Sequence, residues 1–106
     1  MSKLIIVTNG ATAEQRNLIS AAVREAGAAW WHWFQELWLL SDPLERRPDW
    51  WMQHLRDRAG RFESLVFLVN GPSPWMGSSG SRVLDGQQYD AAAVFEWLNR
   101  VEWGRR

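Results

Sequence analysis

The chain has 106 residues, enough for one domain with its own core, and its twelve basic and twelve acidic residues give a formal net charge of zero. The absence of cysteine excludes disulfides, thiolate zinc sites and cysteine nucleophiles, and it suits a cytoplasmic protein. A neutral chain argues mildly against strong nonspecific binding to nucleic acid and makes self-association easier.

The first third of the chain predicts a strand followed by a helix. Leu4–Thr8 is a short β-branched apolar run, which is typical of a central strand buried on both faces. It is too short for a signal peptide or a membrane span, so we expect no membrane partner. Thr12 followed by Gln15 predicts a capping box, and Gly27 is a suitable residue to end the helix behind it.

Residues 28–40, AAWWHWFQELWLL, hold four of the nine tryptophans and predict a hairpin that turns at Gln35-Glu36. Alternation along a strand would place Trp31 and Trp33 on one face, and the opposite face would carry Trp30, His32 and Phe34. A small domain does not need bulky rings on both faces of one strand. One of these faces is therefore expected to cover a second subunit, a ligand or a nucleic-acid base.

The middle of the chain predicts a second helix and another buried strand. Asp42 can cap a short helical turn that has Pro43 at its first position, and Pro48 then restarts or bends the helix. The helix ends at Gly60. Ser64–Val69 is a second continuous apolar run and predicts another well-covered strand.

Residues 70–88 form the one long irregular segment, rich in glycine, serine and proline, and long segments of this kind are usually functional or mobile. Within it, Trp75 and Met76 either fold back onto the sheet or contact a partner. Residues 81–84 suit a short edge strand, and a last helix is expected to start at Asp85.

The order strand-helix-strand-strand-helix-strand, with a trailing helix, predicts an α+β fold: a ferredoxin-like βαββαβ sandwich with an additional C-terminal helix in a single domain, 1–106. Right-handed crossovers place the first and third strands at the middle of an antiparallel sheet and both helices on one face. The other face stays open. An open face that carries aromatic side chains is an interface or a stacking platform.

The run WLLSDPLERRPDWWMQHLRDRAGRFESLVFLVNG, followed by WMG and a closing EWL, resembles the small SinR-like proteins related to Cas2. The positions that carry the resemblance are Trp38, Leu55, Val66–Val69, Trp75 and the pair Trp97-Leu98. The resemblance implies a ferredoxin-like protomer that dimerises. Cas2 itself is an adaptor that bridges partners around DNA, and some relatives are metal-dependent ribonucleases.

The nuclease members of that family place an aspartate at the end of the first strand, where two subunits face each other around a metal. This sequence has Thr8 and Asn9 there. A neutral amide oxygen is a poorer ligand for Mg²⁺ than a carboxylate, which puts nuclease activity in doubt. His32 and His54 lack the local partner spacing of a metal site, so each is expected to be a structural or surface histidine.

Together these observations predict a non-enzymatic protein-binding or adaptor module, without a cofactor or metal, that forms a homodimer through an aromatic sheet face or an edge strand. Because tryptophan and arginine are enriched at interface hot spots, the candidate interface residues are Trp31, Trp33, Trp38, Trp75, Met76, Arg46 and Arg47.

Two alternatives stay open. One is a Cas2-like metal-dependent nuclease with Thr8 and Asn9 near its site and with Arg46 and Arg47 steering phosphate. The other is a single-stranded RNA-binding platform that stacks bases on tryptophan. Nucleic acid is thus a possible partner but not the favoured one.

Overall fold

The computed structural model describes residues 2–69, 82–84, 87–89 and 96–98, and the chain divides into two compact units, Met1–Asn70 and Gly71–Arg106. The elements of the first unit are β1 (Ser2–Asn9), α1 (Ala13–Glu25), β2 (Ala29–Phe34), β3 (Leu37–Asp42), α2 (Pro48–Ala59) and β4 (Glu63–Val69). The second unit contains β5 (Arg82–Leu84) and β6 (Gln87–Tyr89). A single domain over 1–106 stays a prediction.

The first unit is an α+β structure built on a four-stranded antiparallel sheet with the strand order β2-β3-β1-β4. The two middle strands are β1 and β3, as the sequence predicted. Leu4 and Ile6 of β1 are fully buried, whereas Ile5 and Val7 on its other face are only half-buried. The prediction that β1 is buried on both faces is therefore wrong, because both helices pack on the same side.

The core lies between the sheet and the two helices. Its fully buried members come from all layers: Leu4, Ile6, Ile19, Ala22, Val23, Trp38, Leu40, Trp51 and Leu55. The predicted capping box of α1 is confirmed, since the Gln15 backbone N–H donates to Thr12 Oγ1 at 3.1 Å and the Thr12 N–H donates to Gln15 Oε1 at 3.0 Å. Gly27, just beyond the helix, has a φ of 79°, which glycine adopts without strain.

The segment between β3 and α2 corrects the prediction of a helical turn starting at Pro43. The Asp42 carboxylate does act as a cap, accepting bonds from the Leu44 N–H at 3.0 Å and the Arg46 N–H at 3.1 Å. Glu45, however, has a φ of 54°, in the left-handed region, so no right-handed helix continues through it. The helix α2 starts at Pro48, whose fixed φ suits a first helical position.

In the second unit, β5 and β6 pair in an antiparallel two-stranded sheet of their own. The strand predicted at 81–84 therefore exists over 82–84, but it does not join the edge of the larger sheet. The helix predicted from Asp85 is wrong at its start, because Gln87–Tyr89 is a strand. Residues 96–98 are helical, while the rest of that predicted helix lies outside the described residues, as do Trp75 and Met76.

Candidate interaction surface

An apolar surface covers the face of the four-stranded sheet opposite the helices. In the β1–β4 pairing Ile5 lies opposite Phe67 and Val7 lies opposite Leu65, and Leu37 and Leu39 of β3 extend the same rows. We call these six residues the sheet-face patch: Ile5, Val7, Leu37, Leu39, Leu65 and Phe67. Leu65 is 59% exposed and Phe67 48% exposed, and no helix of residues 2–69 packs against them. Exposed contiguous apolar surface of this kind marks interaction sites.

At its other end the same sheet face is buried. Lys3, Ser41 and Trp31 are all nearly inaccessible, and Trp31 is only 3% exposed although it is not part of the core between sheet and helices. Its ring packs edge-on against Phe34 with the centroids 4.9 Å apart. Trp31 was predicted as an interface residue, and the structure corrects this, because a side chain so fully covered has little surface left for a partner.

A register shift in β2 changes the expected distribution of the hairpin rings. The pairing with β3 is irregular between Trp31 and Phe34, which marks a β-bulge or similar irregularity. Regular alternation had put these two rings on opposite faces, but they are in contact. Trp33, which lies within the irregular stretch, is half-exposed and remains a candidate interface residue.

Trp38 belongs to the core and not to the interface. It is fully buried, its Nε1–H donates to Ser20 Oγ at 3.1 Å, and its ring stacks on His32 with the centroids 4.0 Å apart. The prediction of an interface role for Trp38 is therefore corrected. The cause is its place opposite Ile6 on the face of β3 that the helices cover.

The two candidate arginines have different environments. Arg46 donates from Nε to Asp42 Oδ2 at 3.0 Å and from Nη2 to the Ala26 carbonyl oxygen at 2.6 Å, and its guanidinium lies 4.2 Å from the ring centre of Trp50. These contacts give Arg46 a structural role, and its interface and phosphate-steering roles stay predictions. Arg47 is exposed at the N-cap of α2, where its side chain makes no capping bond.

Thr8 and Asn9, the positions of the nuclease alternative, are engaged in bonds within the chain. The Thr8 hydroxyl donates to Glu36 Oε1 at 3.2 Å, and Asn9 Nδ2 donates to Glu63 Oε1 at 2.8 Å. Glu36 Oε1 also accepts from the Ala11 N–H at 2.7 Å. In the described part of the chain, no group of three or more His, Cys, Asp or Glu residues has the geometry to hold a metal ion. This corner therefore serves to fix the turn after β1.

Substituting Glu36 by glutamine should reveal this role through pH. The N–H groups of Ala11 and Gly10 hold the pKa of Glu36 below its ordinary value of 4.5. A lowered pKa means that the carboxylate stabilises the fold above that value and loses its contribution as the pH falls through the folded-state pKa. We expect E36Q to melt at a lower temperature than the wild type at pH 7 and the difference to shrink toward pH 3. A difference that is constant with pH would contradict the role.

Both histidines are structural, in line with the sequence. His54 is buried on α2, donates from Nε2 to the Ala22 carbonyl oxygen at 2.8 Å and stacks on Trp50. His32 donates from Nε2 to the Gln35 carbonyl oxygen at 2.8 Å, and burial lowers its pKa.

Sequence reasoning missed a cleft at the start of β4. A cavity of about 520 Å³ is lined, among the described residues, by Arg56, Arg61, Phe62 and Glu63. A second cavity of about 460 Å³ shares Phe62 and Glu63 with it and extends to Leu65. We call the two together the β4 cleft. Arg56 and Arg61 both line it, and their grouping depends on the turn at Gly60, which spacing along α2 does not reveal.

Comparison of the chain with protein-family models, with curated proteins and with solved structures finds no match. Among the helices of the described residues, none combines the length and the hydrophobicity needed to span a bilayer.

Proposed function

We propose that this chain is a non-enzymatic protein-binding module that forms a homodimer through the sheet-face patch. The observation that carries the proposal is two neighbouring rows of three apolar side chains, without a charged member, on a sheet face that the helices of residues 2–69 do not cover. The proposal includes a ferredoxin-like protomer and the relation to SinR-like and Cas2-like proteins. The strand order β2-β3-β1-β4 supports the ferredoxin-like assignment.

The patch is suited to a symmetric contact. In a two-fold dimer the same patch of each copy forms the interface. Because the patch is uncharged, its two copies can pack together without repulsion between like charges. A stable pair buries about 1,200–2,000 Å² in total, which is more than the patch residues alone supply. Phe34, which pairs with Leu37 and is 37% exposed, would add to the contact.

The chemistry of the patch favours protein over nucleic acid. A base-stacking platform carries aromatic rings on its two central strands within a basic surround. Here the central strands offer aliphatic Ile5, Val7, Leu37 and Leu39, and the basic residue of β1 on this face, Lys3, is buried. Aliphatic side chains stabilise an association when they pack against another apolar surface, because that contact removes both surfaces from water.

Charges placed on the patch test the dimer directly. We expect the wild type to show twice the mass of one chain by light scattering at high micromolar concentration. The double substitution Leu65→Glu with Phe67→Glu should weaken association by at least about 100-fold, because each removes a buried apolar contact and adds an unpaired charge.

The matched control is Leu44→Glu, because Leu44 is 67% exposed and lies outside the patch. It should leave the mass of the wild type unchanged, and circular dichroism should show that all variants are folded. A wild type that stays monomeric throughout, or a double variant that still dimerises, would rule out the proposal.

A further inference from the structure

The β4 cleft has a feature beyond the proposed self-association, namely two arginines on a fixed backbone. Arg56 projects from the last turn of α2, and Arg61 follows the helix end at Gly60, whose φ is 78°. The Arg61 carbonyl oxygen accepts a bond from Gln15 Nε2 at 3.3 Å, which ties this turn to α1. Both arginines are exposed, and both line the 520 Å³ cavity.

Within the part of the chain that the structure describes, neither guanidinium makes a hydrogen bond or an ion pair. By contrast, Arg46 pairs with Asp42 and Arg58 pairs with Glu25. Arginine binds carboxylate and phosphate through two parallel N–H donors. Two such groups at one cavity therefore make a site for an anion.

The charge of the cleft selects the kind of anion. Glu63 also lines the cavity, and its carboxylate accepts from Asn9 Nδ2 at 2.8 Å. Among the described lining residues, two positive charges and one negative charge sum to +1, which one carboxylate neutralises. A phosphate chain would bring several negative charges close to Glu63, and the neutral sequence offers no basic excess to compensate.

The strand beside the cleft supplies the second part of the site. β4 is at the edge of the sheet, and its seven residues have a backbone edge that no other described strand pairs with. The strand contains no lysine or proline, the residues that commonly protect an edge from pairing. An extended peptide can add to such an edge through backbone hydrogen bonds, with alternate side chains contacting Leu65 and Phe67.

We propose that the β4 cleft and the edge of β4 bind an extended acidic peptide, whose carboxylate lies between Arg56 and Arg61 while its backbone extends the sheet. The guanidiniums give the selectivity for the carboxylate. The strand edge and the exposed apolar side chains bind the rest of the segment. This site shares Leu65 and Phe67 with the sheet-face patch, but its contacts to the peptide carboxylate and backbone do not require the dimer.

The probes are capped heptapeptides of alternating threonine and valine with one glutamate at the N-terminal or the C-terminal end, together with matched peptides that carry glutamine there. Titration of the full chain, followed by amide chemical shifts, should show changes confined to residues 56–69. One of the two glutamate peptides should bind about tenfold more tightly than its glutamine match, and that one reports the direction of the added strand.

The variants Arg56→Gln and Arg61→Gln should each remove most of this tenfold preference, whereas Arg47→Gln, an exposed arginine outside the cleft, should preserve it. Equal binding of glutamate and glutamine peptides, or no binding at millimolar concentration, would overturn the proposal. Displacement of the peptide by a single-stranded oligonucleotide would overturn it in favour of nucleic acid. The mass of each sample by light scattering tests self-association separately, since neither arginine belongs to the sheet-face patch.

Discussion

Replacing Asp42 by alanine is expected to lower the free energy of unfolding by about 3–5 kcal/mol, the range for breaking a buried ion pair. Asp42 is fully buried and accepts bonds from the backbone N–H groups of Leu44 and Arg46, from the Arg46 guanidinium and from Trp51 Nε1–H at 3.0 Å. Alanine would leave the guanidinium and the indole N–H without their acceptor at the junction of β3 and α2. Urea unfolding of the purified variant measures the loss.

The control for this substitution is Asp57→Ala on the outer face of α2. Asp57 is exposed and its carboxylate accepts a bond from Gln53 Nε2 at 2.8 Å, so the expected loss is within about 0.5 kcal/mol. A loss of similar size for both aspartates would show that the Asp42 cluster has no special role. Asp42→Asn keeps the shape of the side chain, so its loss of unfolding free energy should be intermediate between those of Asp42→Ala and Asp57→Ala.

The pH dependence provides an independent check on Asp42. Burial by itself would raise the pKa of Asp42, but the hydrogen bonds from Arg46, Leu44 and Trp51 outweigh burial and hold the pKa below its ordinary value of 3.8. The stabilisation is therefore present above about pH 4 and is lost as the pH falls through the folded-state pKa. The difference in unfolding free energy between the wild type and Asp42→Ala should therefore become smaller as the pH falls.

Replacing Trp38 by alanine is expected to cost about 3–5 kcal/mol of unfolding free energy, as for other large buried aromatic side chains. The substitution would empty a fully buried site, remove the bond to Ser20 Oγ and leave His32 without the ring on which it stacks. Chemical denaturation followed by circular dichroism measures the effect. The proposed dimer should weaken only to the extent that the chain unfolds.

Trp38→Phe is the matched variant, because it keeps most of the apolar volume and removes the Nε1–H donor. It should lose clearly less stability than Trp38→Ala. If Trp38→Ala instead kept its stability and lost only association, the core position of this ring would be wrong and the original interface prediction would be right.

The elements of the first unit could be predicted because each has a local cause in the sequence. Continuous apolar runs identified β1 and β4, the Thr12–Gln15 pair identified the start of α1, and Gln35-Glu36 identified the hairpin turn. These signals act over a few residues, so they need no knowledge of the sheet. The element order then predicted the central position of β1 and β3.

The assignment of individual rings and charges could not be predicted, because it depends on register and on distant partners. The irregular pairing after Trp31 changes which rings of β2 come together, and nothing in AWWHWF indicates it. Arg46 and Arg47 are neighbours in the sequence, yet only Arg46 reaches Asp42 and the Ala26 carbonyl oxygen. The strand β6 was not predicted, because the sequence favoured a helix starting at Asp85, although Asp-Gly is equally typical of a two-residue hairpin.

The central position of β1 also has a consequence for biosynthesis. Its two neighbours, β3 and β4, follow it in the chain by dozens of residues, since Ile6 pairs with both Trp38 and Val66. A nascent chain leaving the ribosome therefore carries the apolar residues of β1 without a pairing strand until the hairpin has emerged, and the sheet is completed only after β4 is made. Such long-range pairing slows folding and prolongs the period in which chaperones can bind the N-terminal strand.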